Sequence, residues 1–202
     1  MKVELHCHTN RYSLCASATP AALMERMIQL GYEAVYITEH DAVWLDSELD
    51  QLRAGYPDIQ IHPGVEVSIG EASVQHLLVL GTNDPGYLSL RRADRVIAKA
   101  ADDGCLTVLA HPFRWEGGAE LLDGDTPPDA IEHRTPNHAR PDQLRLAEEA
   151  AARLGLPMVN AGDVHSAKML ERSWIETDRP IHNARDIRRI VLNGRYVNRT
   201  GE

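Results

Sequence analysis

The chain has 202 residues, a formal charge of −9, 43% apolar residues and 25% charged ones, enough to bury a real core and in the balance of a soluble globular protein. Its longest apolar runs, such as Leu77–Leu80, fall far short of the roughly 20 residues that span a bilayer, which excludes a helical membrane protein. A pI near 5.5 argues against long nucleic acid as a partner.

Taken in order, the chain alternates short apolar runs with helical patterns. Val3-Glu4-Leu5 reads as a strand. Thr19-Pro20 supplies an N-cap and a first-turn proline, and Leu23, Met24, Met27, Ile28 and Leu30 fall on one helical face that Gly31 ends. A strand follows at Ala34–Thr38, then a helix near Ser47–Ala54, an extended segment at Ile59–Ser68 and a strand at His76–Leu80. Leu90–Asp103 is helical and stopped by Gly104; Leu106–Ala110 is a strand, and Ala130–Glu132 a weaker one. Pro141–Leu154 is a strong helix ended by Gly155, with a strand at Pro157–Ala161, a last helix at Asn183–Leu192 and a short strand at Arg195–Arg199. With no linker, repeat or low-complexity stretch, residues 1–202 are expected to form a single α/β domain with a mainly parallel sheet. About seven strand–helix units suit a barrel slightly smaller than the eight-unit form; a doubly wound open sheet is the alternative. Three cysteines, Cys7, Cys15 and Cys105, make no disulfide framework, and the N-terminus has no apolar signal segment, so a cytoplasmic location is expected.

The ten histidines are informative through position. His6 and His8 follow the first strand, His40 the second, His111 the fifth, and Asp163 and His165 the seventh. Glu66 lies in the third extended segment. His76 fits least well, because it opens its strand. Sites in parallel α/β folds are built where strand carboxyl ends share a face, and the i, i+2 spacing of His6/His8 and Asp163/His165 points both members of each pair the same way. One histidine at a strand end is usually a hydrogen-bonded structural residue. Six of them with two carboxylates form a donor set suited to Zn²⁺, Mn²⁺ or Fe²⁺, too large for one ion. Two or three divalent ions are expected, with Glu66 able to bridge two.

Leu5-His6-Cys7-His8-Thr9, Ile37-Thr38-Glu39-His40-Asp41, Pro63-Gly64-Val65-Glu66-Val67-Ser68, Ala110-His111-Pro112 and Ala161-Gly162-Asp163-Val164-His165-Ser166, in that order, resemble the PHP family, named for its polymerase-associated and histidinol-phosphatase members. The resemblance implies a distorted seven-stranded (β/α) barrel, a two- or three-metal site and hydrolysis of phosphoesters. Carried over by position, it gives one metal to His6, His8, Glu66 and Asp163, a second to Glu66, His76 and His111, and a third to His40 and His165. Many members complete the third site with an Asp or His after a Tyr-Ser-like step, where this chain reads Tyr12-Ser13-Leu14-Cys15. Leucine cannot ligate, and Cys15 is expected to be buried or neutral rather than a substitute ligand.

Two metals roughly 3.5–4 Å apart can bridge a hydroxide and hold a phosphoryl oxygen, and the resemblance implies direct attack on phosphorus. Glu66, Asp163 and His165 are the candidate catalytic residues, with His165 or Asp41 placed to protonate a leaving group. Arg114 and, second, Arg140 are candidates for the planar, bidentate grip on substrate phosphate; the bland alternative for each is a surface ion pair. The expected substrate is a small phosphate ester or a short nucleotide. Two other functions compete. An amidohydrolase-like metal hydrolase would share the HxH, but many such enzymes need a carboxylated lysine, and neither Lys2, Lys99 nor Lys168 ends a central strand. A non-catalytic metal-binding module would be expected to have lost ligands.

Overall fold

The computed structural model describes residues 1–71 and 73–201. Among the described residues, nine strands form one sheet: β1 (Lys2–Cys7), β2 (Ala34–Ile37), β3 (Gln60–Ile69), β4 (Gln75–Leu80), β5 (Leu106–Ala110), β6 (Ala130–Glu132), β7 (Met158–Val159), β8 (Ser173–Thr177) and β9 (Tyr196–Thr200). Their order is β7-β6-β5-β4-β3-β2-β1-β8-β9. The strand count of seven expected from the resemblance is therefore corrected to nine. The strand absent from the sequence reading is β8, joined to β9 through an intervening helix and paired antiparallel both with β9 and with the start of β1, Lys2 opposite Glu176 and Val3 opposite Ile175. Ser173-Trp174-Ile175-Glu176-Thr177 has too few apolar residues to stand out in the sequence, although its inward positions are buried.

Beyond β8, the free edge of β1 is taken by the chain after β7. The His8 amide donates to the Val164 carbonyl at 2.8 Å and the Val164 amide to the His6 carbonyl at 2.9 Å, bringing the ends of the sheet together as a nearly closed barrel. The sheet is mixed. β1–β2–β3 and β5–β6–β7 pair in parallel, but β4 is antiparallel to both of its neighbours. Only five residues separate β3 from β4, and so short a connection can return a strand antiparallel but cannot make a parallel crossover. This places His76, opposite Ser68 in the register, at the end where the parallel strands finish.

Helices α1 (Pro20–Gln29), α2 (Asp46–Gly55), α3 (Ala93–Asp103) and α4 (Pro141–Leu154) cover the outside of the sheet, and α5 (Asp186–Leu192) packs on the core cluster. Thr19 caps α1 through the Ala22 amide at 3.2 Å, and α3 and α4 stop at Gly104 and Gly155 in left-handed conformation. Val3, Leu5, Tyr36, Leu78, Leu80, Val108 and Val159 share the central core with Ile187, Ile190 and Val191 of α5. Cys7, by contrast, packs on the α1–α2 side. Between Glu4 and Cys7 the pairing of β1 with β2 shifts register, the kind of irregularity that re-aims side chains at a strand end. Among the described residues, no helix is long and apolar enough to cross a membrane.

Candidate metal centre

All eight sequence-predicted ligands meet at one end of the barrel. Glu66 is at the middle, fully buried. Its Oε2 lies 3.1 Å from His6 Nε2, 3.1 Å from His8 Nε2 and 3.0 Å from His40 Nδ1. Its Oε1 lies 2.8 Å from His76 Nδ1 and 3.2 Å from His111 Nε2. Asp163 Oδ1 stands 3.4 Å from the Nε2 atoms of both His6 and His8, and also 3.4 Å from His165 Nδ1. Within this cluster, four triads have donor atoms close enough to share an ion: His6/His8/Glu66, His6/His111/Asp163, His40/Glu66/His76 and His8/His40/His165.

The donor set fits metal ions. His6 Nε2 and His8 Nε2 are 2.9 Å apart, and two imidazole nitrogens at that distance need a proton or a cation between them. Burial would push His6 below its ordinary range, but Glu66, Asp163 and Glu132 override it and hold the ring well above. Glu66 itself is driven well below the carboxylate range: burial opposes this, and the surrounding histidines, His6 foremost, outweigh it. Without ions, the cluster is a buried set of carboxylates neutralised by protons on histidines; divalent cations would do the same work.

The backbone is strained at the site. Asp41, His111 and Asp163 have φ of 45°, 29° and 43°, left-handed values that non-glycine residues hold only where the surroundings over-determine them. Next to Asp163, a Cβ on Gly162 would stand 2.5 Å from Glu4 Oε2, so the chain can pass over Glu4 only because Gly162 has no side chain.

Several functional neighbours escaped the sequence reading. Glu132 receives the His6 ring, its Oε1 2.9 Å from Nδ1, and accepts the His111 amide at 2.7 Å. That contact leaves His6 Nε2 aimed into the cluster. Asn137 donates to Asp163 Oδ2 at 2.7 Å. Ser13 Oγ lies 3.3 Å from His8 Nδ1 and accepts the His40 amide at 3.2 Å. Glu4 accepts the His6 and Gly162 amides at 3.0 and 2.7 Å while burial pushes its carboxyl up to about 8. None of these had a spacing that would distinguish it from an ordinary strand or turn residue.

The phosphate candidates differ. Arg114 Nη1 is 3.5 Å from Asp163 Oδ2, with its guanidinium 4.2 Å above the Trp115 ring, and that ring packs against His76 and His111. Arg140 is exposed and pairs with Asp142 at 3.1 Å, yet it lines the same cavity of about 480 Å³ as Arg114 and Trp115. Asp41 is engaged by the Ser68 amide at 3.0 Å and Arg91 at 2.9 Å. Cys15 is exposed, not buried, and Leu14 beside it is fully exposed.

Residues 4–99 match the family model of the PHP domain, and residues 141–196 match that of the PHP-associated region. The chain belongs to the PHP family. Among solved structures, this PHP domain is similar to PsfC from Pseudomonas syringae (19% identity, 99% of this chain and 91% of that one, TM-score 0.70). It is also similar to an amidohydrolase from Chromobacterium violaceum with bound sulfate and no metal (17% identity, 82% and 88%, TM-score 0.63). A protein from Bifidobacterium adolescentis, provisionally assigned as a metal-dependent phosphoesterase, gives 17% identity, 93% and 94% coverage and a TM-score of 0.62. At these identities the likeness is one of fold. The chain has no match among curated proteins.

Proposed function

We propose that this PHP domain is a metal-dependent hydrolase that cleaves a phosphate ester, with a small phosphorylated molecule or short nucleotide as substrate. The observation that carries the reading is Glu66, one buried carboxylate with five imidazole nitrogens within 3.2 Å. His6, His8, Glu66 and Asp163 would hold one ion, His76 and His111 with Glu66 a second, and His40 with His165 a third. Bound divalent ions would supply Lewis acidity and water activation at neutral pH.

The protein's own groups do the rest. Glu132 holds the His6 ring in one orientation, and Asn137 together with Arg114 occupies Asp163 Oδ2, leaving Oδ1 to the histidines. Arg114, braced on Trp115 at the edge of the cluster, presents a guanidinium fork to a phosphoryl oxygen. Burial, reinforced by His8, depresses the His165 ring below its usual range, which suits a neutral ligand better than a proton donor.

The amidohydrolase-like alternative is disfavoured by the lysines. Lys2 is paired with Glu171, Lys99 with Asp84, and Lys168 lines a separate cavity. A non-catalytic module is disfavoured because the whole donor set is in place. The test is Glu66→Gln, assayed on phosphomonoesters and a dinucleotide alongside elemental analysis. Activity is expected to fall by roughly two orders of magnitude or more, the scale on which a single electrostatic group in such a site acts, with bound metal reduced in parallel. Near-wild-type turnover would sink the assignment.

A further inference from the structure

Glu39 stands outside the set of eight ligands, yet it is fully buried. A buried carboxylate needs donors, and those of Glu39 come from the two stretches of chain that follow His8 and His40. Its Oε2 accepts the Thr9 amide at 3.1 Å and the Ser13 hydroxyl at 2.5 Å. Its Oε1 accepts the Thr9 hydroxyl, and the Trp44 indole N–H at 3.1 Å. Ser13 is itself buried, held in a tight turn in which its amide donates to the Thr9 carbonyl at 3.1 Å and its carbonyl accepts the Ala16 amide at 3.0 Å, while Leu14 beside it faces solvent.

Counting protons through this group fixes its direction. A hydroxyl has one proton to give and two lone pairs. The Thr9 amide and the Trp44 indole can only donate, so both oxygens of Glu39 serve as acceptors, and the Ser13 proton goes to Oε2. Ser13 Oγ also accepts the His40 amide at 3.2 Å. What it offers His8 Nδ1, 3.3 Å away, is a lone pair. Nδ1 is then the protonated nitrogen of that ring, and Nε2, 3.1 Å from Glu66 Oε2, is the one free to ligate. The ring is held sideways as well, packed against His40 and His165 with centroids 4.2 and 4.4 Å away.

We propose that Glu39 and Ser13 are positioning residues for the metal centre, a carboxylate–hydroxyl–imidazole relay that sets the tautomer of His8 and, through the same hydroxyl, ties it to His40 on the neighbouring strand end. This rests on metal ligation by His8 and not on the choice of substrate. His6 has the shorter version, with Glu132 Oε1 directly on its Nδ1 at 2.9 Å. Both histidines of the pair are backed by a buried acid, and an acceptor behind an imidazole makes its far nitrogen the better ligand.

The test uses Ser13→Ala, Ser13→Thr, which keeps a hydroxyl, and Glu39→Gln, whose amide sets an N–H against an obligatory donor whichever way it is turned. Zn²⁺ affinity, read by chelator competition, should fall about 10- to 100-fold in Ser13→Ala and Glu39→Gln, the usual effect of losing a group that orients a ligand, and Ser13→Thr should recover most of it. In ¹⁵N-histidine NMR of the zinc-loaded protein, the His8 Nδ1 proton should be visible in the wild type and shifted in Ser13→Ala. A packing role would lower the melting temperature of the variants without moving the affinity of the folded protein or the His8 resonance, and that result overturns the proposal. So does an equal loss of affinity in Ser13→Thr, or a wild-type His8 with no proton on Nδ1. If the wild type binds no Zn²⁺, the ligation reading fails by itself and the metal-free spectrum decides the relay. A His8 Nδ1 proton that shifts in Ser13→Ala upholds it, and one that is absent or unmoved removes it.

Discussion

Glu66 has more neighbours than a carboxylate has lone pairs, since two oxygens offer about four acceptor sites and five imidazole nitrogens crowd them. Such an arrangement needs its rings held in place from behind. For His6 the holder is Glu132, itself fully buried and fixed by the His111 amide. Glu132→Gln removes the charge and sets an amide N–H group against one of two partners that both require an acceptor. Metal affinity should drop by about 10- to 100-fold, the usual effect of losing a group that orients a ligand, as read by competition with a chromophoric chelator; wild-type affinity in a folded variant would reduce Glu132 to a packing role. The contrast between Glu66 and Glu132 shows what a sequence can disclose at this scale. The ligands were legible because His6/His8 and Asp163/His165 repeat at i, i+2 and the rest fall at strand ends. Glu132 ends a three-residue strand, Asn137 sits in a turn, and their value exists only once the sheet closes and the stretch around Val164 stands beside β1.

At the scale of elements, β4 decides the site. A parallel β4 would carry His76 to the opposite end of the barrel; reversed, it delivers that ring to Glu66. The short connection that enforces the reversal was readable in the sequence, as was β9 at Arg195–Arg199, unlike β8, whose run Ser173–Thr177 lacks an apolar signature. The neighbouring pair β2–β3 carries a different consequence. His62 on β3 stacks on Tyr36 of β2, ring centroids 4.9 Å apart, away from the metal ligands. Burial, with a contribution from the Arg53 guanidinium, holds its ring down from 6.5 to about 4. The folded chain therefore binds this proton less readily than the unfolded chain, so the stability associated with the neutral ring is complete above pH 6.5 and erodes as pH falls towards 4. In metal-free protein, His62→Phe should flatten the loss of stability over that window by up to about 3 kcal/mol, since each pH unit between the two values is worth about 1.4 kcal/mol. Denaturant titrations of variant and wild type at matched pH would show the difference, and parallel curves would mean that His62 titrates normally.

For the whole molecule, the decisive feature is how the barrel shuts. Its closing edge is divided, the first half of β1 given to β8 and the second half to the strand-like stretch around Val164. β6 and β7 contribute only three and two residues, so little regular pairing supports that side. Yet His6 and His8 stand on one bank of the closure and Asp163 and His165 on the other. Divalent ions shared between them would act as rivets through a seam, and taking them out should let the seam breathe. Amide hydrogen exchange at His8 and Val164 is expected to accelerate on chelation far more than at Leu78 or Val108 in the middle of the wall, whereas uniform change across the barrel would show that the ions stabilise the fold without clasping it. If the seam does loosen, loss of metal would both silence the centre and turn this edge of the protein into its first point of entry for proteases.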